Sequence, residues 1–185
     1  MAHLAVASAA LSACGLSRVD LVVSRVALGK GAVAVPTFAD RVAVLSSVVA
    51  ARASWLGLVV SDSQLLVDLS AGYDVLVLGA DKWPQVTDVA FYGGSAARRD
   101  EAVAALPPLA VAPRDGGLPE GLPSSATVLS GLASVLGEVS SSGVRADGRS
   151  EWMVEEAAAF DRSTGAWTDP VRYAAWTRRG RASSR

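Results

Sequence analysis

The chain has one cysteine, Cys14, and one histidine, His3, in 185 residues. A single cysteine excludes an intrachain disulfide and a multi-cysteine metal site. A single histidine excludes a His-rich zinc site. It also argues against a Ser-His-Asp triad, which would have to recruit a residue at the very start of the sequence. Charge is sparse as well. Only 19% of residues are charged and the formal net charge is −1, so the chain as a whole offers nucleic acid no basic surface. Nor does any run reach the ~18 consecutive apolar residues of a membrane span.

What the chain has instead is small apolar residues. The hydrophobic fraction is 51%, much of it Ala and Val, enough for one sizeable core. Residues 3–14 read as an Ala/Leu-rich helix closed by Gly15. Val19-Asp20-Leu21-Val22-Val23 reads as a short buried strand. Gly29, Gly31 and Pro36 mark a loop. Thr37 then acts as an N-cap with Asp40 at the third helical position, opening a helix to about Ala53. Leu56–Val60 is a second strand, and Ser61 or Asp62 caps a short helix through Leu69. Tyr73–Leu78 is the strongest strand and ends in Gly79-Ala80-Asp81. Helical segments interrupted by Gly93-Gly94 occupy 82–105, and Leu109–Ala112 is a fourth strand. Residues 127–139 are ambiguous: Thr127–Leu129 could be a strand, and Leu132–Leu136 a short helix or a strand. Helices are expected after Ser140 or Ser141, over Glu151–Phe160, and briefly after Pro170.

Strands alternating with helices predict an α/β, Rossmann-like doubly wound parallel sheet with helices on both faces. The expected division is an α/β domain over 1–148, a helical extension over 149–170 and a basic, disordered tail over 171–185, where Arg172, Arg178, Arg179, Arg181 and Arg185 cluster. Leu11-Ser12-Ala13-Cys14 is similar to a lipoprotein cleavage box. However, no Lys or Arg precedes it, and Ser8 and Ser12 break the apolar stretch, so the expectation is a cytoplasmic protein.

Several positions can carry chemistry. Ser140-Ser141-Ser142-Gly143-Val144-Arg145 sits at a helix start, where unpaired N–H groups and a positive dipole suit phosphate. Serine hydroxyls add donors, and Arg145 can grip phosphate oxygens bidentately. The bland alternative is a Ser-capped helix with a surface arginine. His3 enters a helix in its first turn and can donate to a phosphate there; otherwise it is a terminal histidine without a role. Asp81 follows a strand's carboxyl end, where open α/β sheets hold ligands; it serves equally as a helix cap. Trp83 can stack on a base or pack in the core. Lys30 and Arg41 follow the first strand, where they can neutralise phosphates or stand solvated.

Ala2-His3-Leu4, Gly79-Ala80-Asp81 and Ser140–Arg145 occur in the order of three motifs of the nicotinate-mononucleotide adenylyltransferase-like nucleotidyltransferases. The first resembles the end of that family's Gly-x-Phe-x-Pro-x-His-x-Gly-His segment. The second is similar to its central Gly-x-Asp, and the third to its late Ser-Ser-Thr-x-x-Arg. The chain departs from the family where Ala2 replaces the glycine before the histidine and Ser142 replaces the threonine. The Gly-x-Phe strand is not in the sequence, so the resemblance implies a sheet lacking its first, central strand, with edges exposed for self-association.

The resemblance further implies transfer of a nucleotidyl group from a nucleoside triphosphate to a phosphate-bearing small molecule, with release of pyrophosphate. ATP is the better match than CTP, and magnesium would accompany the triphosphate. His3, Lys30 and Arg145 would be catalytic. Ser140, Ser141, Ser142, Asp81 and Trp83 would join His3 and Arg145 in binding the nucleotide. The alternative is a degenerate nucleotide-binding module that keeps only part of the phosphate site.

Overall fold

The computed structural model describes residues 1–26, 35–52, 54–114, 117–132, 139 and 141–182. Lys30 and Ser140 therefore lie outside the described residues, as does most of Leu132–Leu136.

Helix α1 spans Ala2–Ala13 and β1 spans Val19–Ser24. Gly15 joins them at φ 63°, a left-handed conformation that glycine adopts without a Cβ penalty. Helix α2, Phe38–Ala50, starts as its sequence dictates. The Thr37 hydroxyl accepts from the Asp40 amide at 3.2 Å and donates to the Asp40 carboxylate at 2.6 Å. Strand β2 follows at Leu56–Ser61, then a one-turn α3 at Leu66–Leu69 and β3 at Leu76–Gly79. Short helices α4, Trp83–Thr87, and α5, Ala96–Ala104, lead to β4 at Leu109–Ala112 and the two-residue β5 at Thr127–Val128. The chain ends in α6 at Ser141–Asp147, α7 at Glu155–Thr164 and α8 at Pro170–Ala182.

Every strand pairing is parallel. β1 pairs with β2, and β3 pairs with β4, which pairs with β5. The α/β, Rossmann-like class read from the sequence is thus the class found, with five strands among the described residues divided between two sheets. Helices cover both faces. On one face, Ala7 of α1 packs with Val48 of α2 and Leu56, while Ala10 packs with Ala110, Ala112 and Leu129. On the other, Trp83 and Val86 of α4 pack with Leu78, Leu109 and Val111. The alternation along β4 (Leu109 and Val111 to one face, Ala110 and Ala112 to the other) is the period of two that a strand buried on both faces requires.

The carboxyl-terminal segment differs from the disordered tail expected over 171–185. Through Ala182 it is helical, and Tyr173 anchors it with 2% of its surface exposed. Its hydroxyl donates to the Asp40 carboxylate and accepts from the Thr37 amide at 2.8 Å. The ring stacks on Trp176 at 5.8 Å, and Trp176 meets Phe160 edge-on at 5.5 Å. Arginine content suggested a solvated tail, but Tyr173 and Trp176, three residues apart on α8, outweigh it by packing inward. Tyr173→Phe is expected to lower stability by about 1–2 kcal/mol, measured by urea unfolding. A loss that persists undiminished in an Asp40→Asn background would show that the hydroxyl pairing carries no energy.

Candidate functional site

β1 and β3 belong to different sheets, and a cleft of about 1100 Å³ lies between them. Chain order reverses here. β1 and β2 run outward one way, β3 to β5 the other, and α/β sheets bind ligands at the carboxyl ends beside such a switch. His3, Asp81, Lys82 and Arg114 all line the cleft.

Each residue is placed by its element. Asp81 follows the last residue of β3, inside a 3-10 turn over Ala80–Lys82. Gly79 permits this turn, because a Cβ there would lie 2.5 Å from an Asp81 carboxylate oxygen. The Asp81 side chain is thus free to fold back over the strand end. Arg114 comes just beyond β4, the neighbouring strand, and its Nε lies 3.3 Å from Asp81 Oδ1. Lys82 Nζ lies 3.8 Å from the other Asp81 oxygen. The three side chains keep between a third and a half of their surface exposed. Ion pairs so open to water contribute ~0–1 kcal/mol.

His3 occupies the first turn of α1 and opens onto the cleft. Protein surrounds the ring on enough sides to lower its pKa from 6.5; the amino-terminal ammonium and Arg114 push the same way, and Asp81 opposes them. This direction favours the neutral ring, which can donate one N–H. The sign for stability follows. The unfolded chain binds this proton more readily, so the neutral ring's contribution is complete above pH 6.5 and drains as pH falls toward the folded-state value.

Arg145 of the serine–arginine motif is not among the described residues that line the cleft. Arg114 Nη1 reaches the Val139 carbonyl at 3.5 Å, two residues before α6 begins. Ser141 and Ser142 open α6. Arg145, four positions after Ser141 and so on the same helical face, is exposed. Val144 is buried and holds the helix down.

Trp83 does not join the site. Its ring is 3% exposed within the Leu78, Val86, Leu109 and Val111 cluster. The expected base-stacking role is replaced by core packing, because the turn after β3 directs the indole under the sheet. Arg114 is not among the residues that the sequence singled out. Its signal was positional, since it lies just past a strand's carboxyl end as Asp81 does.

Among the described residues, no three His, Cys, Asp or Glu side chains come together as a metal centre. Asp81, the carboxylate of this site, already faces Arg114 and Lys82. A magnesium ion carried by a triphosphate would need only one or two carboxylates beside water and phosphate oxygens, and Asp81 would be the carboxylate here to supply one.

No helix among the described residues is long and apolar enough to cross a membrane. No protein-family model matches the sequence, and no curated protein matches it.

Proposed function

We propose that the chain binds the phosphates of a nucleoside triphosphate at the carboxyl ends of β3 and β4, as a nucleotidyltransferase-like protein. The observation that carries this reading is the meeting of His3, Asp81, Lys82 and Arg114 at the switch point of a parallel α/β fold. Arg114 supplies a fork suited to phosphate oxygens, and Lys82 a mobile point charge. His3 adds a neutral donor at the positive end of α1. Asp81 orients Arg114 and can accept from a ligand hydroxyl.

The finer reading is adenylyl transfer. A phosphate oxygen of a small acceptor attacks the α-phosphorus, and the bond to the bridging oxygen of the β-phosphate breaks. Pyrophosphate leaves with that electron pair. The protein's part is to align the two phosphates and neutralise the leaving charge. The second reading, binding without transfer, is favoured by the open cleft between β1 and β3, which leaves the triphosphate without a floor at the switch point.

The lone histidine makes a direct test. In proton NMR the His3 ring signals are those of one residue. Adding ATP is expected to raise the pH at which they titrate, because bound phosphate favours the imidazolium. By linkage, affinity then rises as pH falls through the same range. Arg114→Ala should abolish the shift, with a loss of at least about tenfold in affinity. A titration that ATP and pyrophosphate both leave unmoved would remove this site. Pyrophosphate release across a panel of phosphate-bearing acceptors separates transfer from binding alone.

A further inference from the structure

Arg41 is a cation of this cleft that the proposed triphosphate site leaves unused. It lies in the first turn of α2 and lines the cleft on the β1 side. Arg25, which directly follows β1, meets it at one ring. The Arg25 guanidinium stands 4.9 Å from the Phe38 centroid, and that of Arg41 stands 5.4 Å from it. Arg25 has a carboxylate of its own, Asp62 at 3.1 Å. The carboxylate beside Arg41 in sequence, Asp40, instead faces the hydroxyls of Thr37 and Tyr173. Among the described residues no carboxylate pairs with Arg41.

The Arg41 Nε is also buried, and among the described residues it has no hydrogen-bond partner. A buried N–H without an acceptor is costly, and a second cation on the same ring adds to the cost. The ring contact offsets part of it. An anion that accepts from Nε offsets both terms at once. The Nε–H and the adjacent Nη–H of a guanidinium form a parallel fork that matches two oxygens of one anion. A phosphate monoester suits this fork. It carries nearly two negative charges at pH 7, and it has three terminal oxygens, one more than the fork uses.

We infer that Arg41 grips the phosphate of the acceptor, a phosphate monoester, on the β1 side of the cleft. Nε–H and one Nη–H hold two of its terminal oxygens, and Arg25 adds charge from across the Phe38 ring. The third oxygen stays free to form the bond to the α-phosphorus. The bond from that phosphorus to the bridging oxygen breaks, and pyrophosphate leaves with the electron pair. The cations are thus divided. Lys82 and Arg114 serve the triphosphate at β3 and β4, and Arg41 serves the acceptor at β1. Naming this phosphate the acceptor's rests on the proposed nucleotide site; the fork itself does not.

The test follows arginine Nε–H signals by nitrogen-15 NMR, with ribose 5-phosphate as the probe and ribose as its control. The Arg41 signal, identified by its loss in Arg41→Met, is expected to move with ribose 5-phosphate and not with ribose. Arg41→Met should weaken ribose 5-phosphate binding by at least about tenfold. Its Tm should stay within about 4 °C of the parent's, since an unpaired buried donor is lost together with the ring contact. Arg41→Lys keeps the charge without the fork and should lose most of the affinity as well. ATP should still move the His3 titration in both variants, and it should not displace ribose 5-phosphate from the parent. An unmoved Arg41 signal, or full affinity in either variant, overturns the fork. Displacement by ATP overturns the acceptor assignment, because the triphosphate then occupies Arg41. The nucleotide reading fails separately, by a His3 titration that ATP leaves unmoved while the Arg41 signal still responds; the fork then stands and the acceptor assignment falls.

Discussion

Trp83→Ala is expected to cost about 3–5 kcal/mol of stability, a large share of the ~5–15 kcal/mol that holds a domain of ordinary stability together. The indole is 3% exposed and touches residues from β3, α4 and β4. Its removal leaves a cavity bounded by strand side chains that cannot collapse into it. Tm should fall by roughly 10 °C, while the His3 titration and its response to ATP persist at temperatures where the variant stays folded. Loss of the ATP response with stability unchanged would return Trp83 to the binding site. Trp83→Phe, which keeps most of the volume, should recover more than half of the loss.

Asp161→Ala should be nearly as damaging, at about 3 kcal/mol. The carboxylate is 4% exposed and ties the α7–α8 connection. One oxygen accepts from the Trp167 and Thr168 amides at 2.6 and 3.1 Å, and the other from the Thr168 hydroxyl at 2.6 Å. Arg172 closes the turn by donating to the Asp161 carbonyl at 2.8 Å. Alanine leaves three partly buried donors without their acceptor, and each loses a charge-assisted hydrogen bond. Asp161→Asn keeps one acceptor oxygen and should lose less than half as much. Equal losses in the two variants would mean that packing, not hydrogen bonding, holds this turn. Because α8 carries Tyr173 onto Asp40, the alanine variant should also release α8, seen as lost ordering of the Trp176 indole signals.

Where local chemistry alone decides a feature, the sequence was sufficient. Thr37 and Asp40 cap α2 as their spacing requires, Gly15 ends the α1 region with positive φ, and Leu109–Ala112 is a strand to the residue. The misplacements share a cause, which is a tertiary partner. Tyr73 has strand propensity, but its hydroxyl donates to Asp20 of the other half-sheet at 3.1 Å, and β3 begins only at Leu76. The helix expected from Glu151 begins at Glu155. Ser150–Trp152 is instead a 3-10 turn whose Trp152 carbonyl accepts from the Met1 ammonium at 3.0 Å. Within the site, His3 and Asp81 were visible as residues with a motif around them. Arg114 was not, because only the β3–β4 pairing brings it to Asp81.

The alanines of α1 have a meaning beyond helix propensity. Ala7 belongs to the packing around β2, and Ala10, one turn later, to the packing around β4 and Leu129. One helix thus acts as a keel shared by two half-sheets whose strands, among the described residues, do not pair with each other. Small side chains set how close that keel lies, and with it the width between the halves. A bulkier residue at Ala7 or Ala10 would act as a spacer, prying apart two folding units whose cooperativity depends on sharing this helix.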